Sequence, residues 1–178
     1  LYAMSLDSLG GLYSDMGAYV TAEPLYRQAL EIRRQALGTN HPDYAKSISN
    51  LAMLYLDIGA YNKAKPLSIQ ASEILRQQLG ENHPDYAKSL NNIGAVYKAM
   101  GDYGHAETLL LQASEIRRQA LGEFHPDYAQ SLNILSELYL AMGAYDKGAE
   151  TVAVLNRVSA GAVAKLMVWL EMPITVML

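Results

Sequence analysis

The stretch from Leu79 to Ala106, LGENHPDYAKSLNNIGAVYKAMGDYGHA, decides the fold. Its core, His83-Pro84-Asp85-Tyr86-Ala87, recurs from His41 and from His125, at a spacing of 42 residues. Leu-Gly precedes each copy, at Leu37-Gly38, Leu79-Gly80 and Leu121-Gly122. Working outward, a glycine column recurs at Gly17, Gly59, Gly101 and Gly143. Three tyrosine columns keep the same phase: Tyr2, Tyr44, Tyr86, Tyr128; Tyr13, Tyr55, Tyr97, Tyr139; and Tyr19, Tyr61, Tyr103, Tyr145. Of the 13 tyrosines only Tyr26 stands outside them. Such phasing means that one structural unit has been duplicated.

Each unit reads as two helices. Helix A starts at His-Pro, because proline fits the first helical position, where its missing N–H has no partner anyway. The Asp that follows (Asp43, Asp85, Asp127) places negative charge at the positive end of the helix dipole. Ala87, Leu90, Ile93, Gly94 and Tyr97 recur at three- and four-residue spacing, one helical face. Helix A is expected to stop near Gly101, since glycine favours the left-handed conformation after a helix. Helix B follows, with Ala106, Leu109, Leu110, Ala113 and Ile116 on its apolar face, and ends at Leu121-Gly122. Pro24 and Pro66 are expected near the first turn of helix B, where backbone N–H groups lack intrahelical partners and proline is tolerated.

Small residues mark where the two helices cross. They are Gly10, Ala52, Gly94 and Ser136 on helix A, and Ala22, Ala64, Ala106 and Gly148 on helix B. An isolated pair cannot bury both its faces, so neighbouring units must stack on it. The reading is an array over residues 1–150, in units of about 1–38, 39–80, 81–122 and 123–160, the last degenerate. Residues 151–178 are the end of the last helix and an apolar segment that caps the array or contacts another surface. Leu1 falls on the Asp43 position, so the chain is expected to be cut from a longer array.

Composition narrows the function. The chain has 178 residues, 51% hydrophobic and 18% charged, a net charge of −4 and no cysteine. A mildly acidic chain without a basic cluster is a poor holder of a phosphate backbone, so no nucleic-acid partner is expected. The absence of cysteine excludes disulfides and zinc–thiolate sites and fits a reducing compartment such as the cytoplasm. Arg157, Lys165 and Glu171 interrupt the apolar C-terminal run, so no membrane span is expected.

The columns carry a family resemblance. Leu90-x-x-Ile93-Gly94-x-x-Tyr97 followed by Gly101-x-Tyr103-x-x-Ala106, with Ala113 at the later small position, resembles the tetratricopeptide repeat. The 42-residue period and the Leu-Gly-x-x-His-Pro linker resemble the repeats of kinesin light chain, over roughly residues 1–150. No tryptophan occupies the family's first large position. Gly148 and Leu155 replace alanines, so the fourth helix B is expected to pack differently or act as a cap. The resemblance implies an all-α fold, a right-handed superhelix of about four helix-turn-helix repeats plus a C-terminal helix. It further implies that helix A lines a concave groove, helix B the convex outside, and that the groove takes an extended peptide or a partner helix.

The groove positions implied are Lys46, Ser49, Asn50, Met53 and Leu56 in the second unit. In the third they are Lys88, Asn91, Asn92, Ala95 and Lys98, and in the fourth Gln130, Asn133 and Glu137. The candidates singled out are Lys46, Asn50, Met53, Lys88, Asn91, Asn92, Lys98 and Asn133. An asparagine both donates to and accepts from a peptide backbone, and lysines attract an acidic group. The same residues also suit a merely solvated face. His41, His83 and His125 read as linker residues. Equivalent positions in stacked units lie on the order of 20 Å apart given helix spacings of ~10 Å, too far to share a metal. Arg33-Arg34 and Arg117-Arg118, beside Glu31 and Glu115, read as an exposed mixed-charge face. Tyr55, Tyr97 and Tyr139 read as interhelix core.

No nucleophile elbow, phosphate loop or H-E-x-x-H motif is present, so neither an enzyme nor a cofactor is expected. The expected function is a scaffold that binds a peptide or partner protein. The alternative is a regulatory module of a longer signalling protein or enzyme. Trp169, the single tryptophan, marks a possible self-association surface in the C-terminal segment.

Overall fold

A computed structural model describes residues 1–169, with side chains through residue 161. The described residues form eight α-helices: α1 Tyr2–Asp15, α2 Tyr19–Leu37, α3 Pro42–Asp57, α4 Tyr61–Leu79, α5 Pro84–Ala99, α6 Tyr103–Leu121, α7 Pro126–Met142 and α8 Tyr145–Trp169. Each helix packs on the one before and the one after it, and α1 also touches α3, as α3 touches α5. The result is an all-α superhelical stack of four helix hairpins. The C-terminal helix is a continuation of α8, which runs 25 residues against 19 in α2, α4 and α6. No helix among the described residues is long and apolar enough to cross a membrane.

The repeated histidines have a defined structural job. Each is the N-cap of a helix A: the Nδ1 of His41, His83 and His125 accepts the backbone N–H of Asp43, Asp85 and Asp127 at 3.0, 3.0 and 3.1 Å. That role places the ring proton on Nε2. It satisfies one of the four N–H groups that a helix start leaves without an intrahelical partner. Substituting His83→Ala is therefore expected to cost about 1 kcal/mol, whereas His83→Asn, which keeps a capping acceptor, retains most of the stability. Urea denaturation of both variants checks this. Equal losses would mean that the ring acts by packing and not through its lone pair.

The helix stops are as regular as the starts. After α5, Gly101 takes φ +79°. Its N–H donates to the Lys98 carbonyl at 3.0 Å and that of Asp102 to the Tyr97 carbonyl at 2.9 Å. This is the double-bonded glycine stop that lets the chain reverse into helix B with few orphaned carbonyls. The prolines depart from expectation. Helix B begins at Tyr19 and Tyr61, so Pro24 and Pro66 are its sixth residues and lie in the second turn. There a residue would normally donate to the carbonyl four positions back, so each proline deletes a bond that the first turn would not have made. The third unit has Thr108 at that position, whose hydroxyl donates to the Gly104 carbonyl at 3.0 Å.

The core runs between the hairpins as linked clusters. One joins Ala22, Tyr26, Leu51, Leu54, Tyr55, Ala64 and Val96; another joins Ala106, Leu110, Leu135, Leu138 and Tyr139. The last hairpin differs at one core position. Leu155 stands where the other helix Bs carry Ala29, Ala71 and Ala113, and packs with Val154 against Tyr128, Leu132 and Val158. Farther along α8, the Phe124 ring occupies the space that a Cβ on Gly161 would need, so α8 passes close over the linker before α7. The Trp169 side chain lies outside the described residues.

Candidate peptide-binding groove

A trough of about 990 Å³ runs along α1, α3 and α5, with the end of α2 closing one side. Its wall carries Lys46, Ser49, Asn50 and Met53 from α3, and Lys88, Ser89 and Asn92 from α5. These positions face one side because residues three, four and seven apart lie on one helical stripe. The 42-residue repeat then places each stripe beside its copy. Five expected residues, Lys46, Asn50, Met53, Lys88 and Asn92, are thus brought together.

The other three are not on this trough. Asn91 lies about 100° around α5 from Asn92. It is buried at the α5–α7 junction and donates to Ser131 Oγ at 3.2 Å, while its own Oδ1 has no partner. Burial removes it from the groove face. Lys98 pairs with Glu137 at 3.3 Å, and Asn133 donates to the same carboxylate at 3.1 Å. Those three residues form a separate polar cluster where α5 meets α7.

The groove is internally neutralised. Lys46 reaches Asp85 of the next repeat at 3.1 Å and Asp43 at 3.8 Å, all three at least partly exposed. Pairs this exposed contribute little and yield readily to a competing ligand charge. Deeper in the trough, Arg33 forms an ion pair with Asp7 and donates to Ser47.

That arginine corrects the reading of the arginine pairs. Only the second member of each lies on the outer face. Arg34 and Arg118 grip Glu31 and Glu115 at 2.7 Å, and the Arg34 fork holds the Glu31 carboxyl down at about 2. The first members turn inward. Arg117 is 3% exposed and donates to the Asp127 carbonyl at 2.8 Å, Ser131 Oγ at 3.0 Å and Gln130 Oε1 at 3.2 Å. Burial lowers its pKa from the usual guanidinium value. The sequence held a signal for this arrangement: Arg33 and Arg117 share a column with Leu75, and the serines they meet share a column with Ser89. An apolar residue in a column means an inward-facing position.

The tyrosines behave as core with a polar rim. Tyr55 donates to Glu23 at 2.7 Å and Tyr139 to Glu107 at 3.0 Å, while the Tyr97 ring is flanked by Lys65, 4.5 Å from its centroid, and stacks on His105. Burial, and then the Glu107 carboxylate, push the Tyr139 phenol up to about 12. Among the described residues, no group of three or more His, Asp or Glu is placed to hold a metal ion.

Comparisons with known proteins agree with this architecture. The tetratricopeptide repeat family model matches residues 1–77, 49–119 and 95–147. The chain is similar to the crystal structure of BtubC (BKLC) from P. vanneervenii, with TM-score 0.76 and 24% identity over 89% of this chain and 63% of that one. It is similar to the nearly identical TPR-like repeats of a putative kinesin light chain from Podosopora anserina, with TM-score 0.69 and 26% identity over 89% of this chain and 75% of that one. It is also similar to a Rap protein complexed with competence and sporulation factor, with TM-score 0.78 and 22% identity over 89% of this chain and 42% of that one. At 24% and 22% identity the first and last likenesses concern the fold alone. No curated protein matches. With its phased columns, helix hairpins and family-model match extending from residue 1 to residue 147, the chain belongs to the tetratricopeptide repeat family and is related to kinesin-light-chain-like repeats.

Proposed function

We propose that the chain is a non-catalytic scaffold that holds an extended segment of a partner protein in the trough along α1, α3 and α5. The observation that carries this is the pair of parallel stripes, Lys46-Asn50-Met53 and Lys88-Asn92, in which Lys and Asn repeat one unit apart, on one open wall. Two asparagine amides one repeat apart can bond a peptide backbone without regard to its sequence, Met53 supplies an adaptable apolar contact, and the lysines favour an acidic residue. A Rap protein of the same fold has been solved complexed with competence and sporulation factor, which supports a binding role for such an array. The Leu-Gly-x-x-His-Pro linker supports assigning the array to the 42-residue kinesin-light-chain type. A regulatory module is the second reading, favoured because arrays of this fold occur inside longer chains: this one spans 42% of the Rap protein and 63% of BtubC.

The test is capture of partners from native lysate by the chain and by an Asn50→Ala/Asn92→Ala variant, with Asn133→Ala as the off-trough control. Losing two hydrogen bonds of about 1 kcal/mol each lowers affinity by roughly thirtyfold, while the control binds normally. A partner held equally by the chain and by the folded double variant would remove the groove from its recognition. Lys46→Glu/Lys88→Glu then asks whether the partner is acidic. An unchanged affinity would show that it is not.

A further inference from the structure

The asparagines on the trough wall differ from Asn91 and Asn133 in what they leave unbonded. Asn91 and Asn133 donate to Ser131 and Glu137. Asn50 and Asn92 are half-buried on the wall, and neither side chain has a hydrogen-bond partner among the described residues. Their amides are therefore open to a ligand as both donors and acceptors. Their helices, α3 and α5, are interior ones, each packed on the helix before it and the helix after it.

Spacing decides what these amides read. α3 touches α5, and helices in contact lie about 8–10 Å apart. Asn50 and Asn92 hold the same place on their helices, so their amides recur at about that distance along a segment that crosses both. In a β-strand the residues on one side recur at about 6.6 Å and then at about 13 Å, and miss it. A helix presents the same side every two turns, about 10.8 Å, but its backbone groups are already bonded to one another. A polyproline II segment has three residues per turn and rises about 3.1 Å per residue, so the same side returns every ~9.3 Å. Its backbone makes no internal hydrogen bonds, and its carbonyls stay available. An asparagine Nδ2 donates to such a carbonyl and needs no N–H in return, so a proline in the segment does not block the bond.

The charges keep the same period. Lys46 and Lys88 stand one helical turn before the two asparagines. Lys46 is drawn to Asp85 at 3.1 Å, whereas Lys88 has no ion-pair partner among the described residues. On α7 the matching places hold Gln130 and Ile134, so the paired pattern covers two repeats. It therefore reads about two turns, or about six residues, of such a segment.

We infer that the occupant of the trough is a polyproline II segment with an acidic residue at every third position. Asn50 and Asn92 bond its carbonyls one turn apart, and Lys88 takes one of its carboxylates. This rests on the reading of the trough as a peptide site, and adds to it the conformation and the three-residue period of the ligand.

Fluorescence anisotropy with three labelled twelve-residue peptides tests it on the full chain. The first is four Glu-Pro-Pro triplets. The second has the same composition in the order Glu-Glu-Pro-Pro-Pro-Pro, twice, which breaks the period. The third is four Glu-Gly-Gly triplets, which keep the period of the acids and lose the preformed conformation. The first is expected to bind, and each of the others at least about tenfold more weakly. Asn50→Ala/Asn92→Ala, with its fold checked by circular dichroism, is expected to weaken the first peptide by roughly thirtyfold. Lys88→Gln is expected to weaken it more than Lys46→Gln, because Lys46 already has a carboxylate partner. Equal binding of the three peptides overturns the inference, since charge alone then holds them. So does a first peptide that fails to bind, or one that binds the folded asparagine variant unchanged. A larger loss in Lys46→Gln overturns the placing of the acid on Lys88. A lysate partner that depends on Asn50 and Asn92 while the three peptides bind alike sinks this inference and leaves the peptide site standing. Independence of both partner and peptides from the two asparagines sinks the site itself.

Discussion

Leu110→Ala is expected to destabilise the chain by about 3–4 kcal/mol, and Gly94→Ala is expected to return part of that loss. Leu110 is fully buried between Leu135, Leu138 and Tyr139, so truncation removes buried methyl groups and leaves a cavity that rigid helices fill poorly. Its side chain also sets the limit on helix A. A Cβ on Gly94 would stand 2.8 Å from Leu110 Cδ2 and 2.9 Å from Cγ, too close for real atoms. In the native background Gly94→Ala is thus expected to cost about 1–2 kcal/mol through overpacking, offset in part by roughly 1 kcal/mol of helix propensity. With Leu110 truncated, the clash is gone and the propensity gain remains. Urea denaturation of the two single variants and the double reads the coupling, expected at about 1–2 kcal/mol. Additivity within about 0.5 kcal/mol would show that the two positions do not share one space.

The same logic runs through the array. Gly10 faces Tyr26, whose ring lies 3.0 Å from where a Cβ would sit, and Gly94 faces Leu110. In the second unit these positions are Ala52 and Ser68, a Cβ opposite a small side chain. Volume removed from helix A is supplied by helix B. Tyr26, the one tyrosine outside the phased columns, is the largest of these fillers.

Arg117→Ala is expected to cost about 3 kcal/mol, and Arg117→Leu far less, near zero. The guanidinium of Arg117 is buried with only neutral acceptors, and its Nε has no partner. Such a charge carries a desolvation cost of several kcal/mol before its hydrogen bonds are counted. Alanine removes the three bonds, although Ser131 Oγ still donates to the Asp127 carbonyl and Gln130 is exposed, and it opens a hole. Leucine refills the hole, and the chain already contains that solution: Leu75 holds the equivalent position, with Ser89 donating instead to Ser72 at 2.9 Å or to the Tyr86 carbonyl at 2.7 Å. Thermal unfolding of both variants separates the cases. Equal losses would mean that the three hydrogen bonds, and not the filled volume, sustain the α6–α7 junction.

Much of this molecule was legible in the amino-acid order. Helix starts at His-Pro, stops at the glycine columns, the apolar stripes and the small residues at the crossing are local or periodic facts. Backbone sterics and the 3.6-residue turn make them readable without knowledge of what touches what. Lys46, Asn50, Met53, Lys88 and Asn92 were legible on the trough for the same reason: their phase on helix A repeats. Helix period alone did not settle Asn91, Lys98 and Asn133, because their fate depends on reach across a junction. Asn91 is buried by its bond to Ser131, and Glu137 draws both Lys98 and Asn133. Nor could it tell Arg33 from Arg34, adjacent residues of which one turns inward to Asp7 and the other outward to Glu31. By itself, the sequence determined the helix hairpins, about four of them, and their stacking into an all-α array. Only the tertiary structure decided which polar side chains are buried, which charges are already neutralised and which faces stay open. Periodicity states which side of a helix is covered, whereas the partner atoms on the neighbouring helix decide what a polar group there can bond.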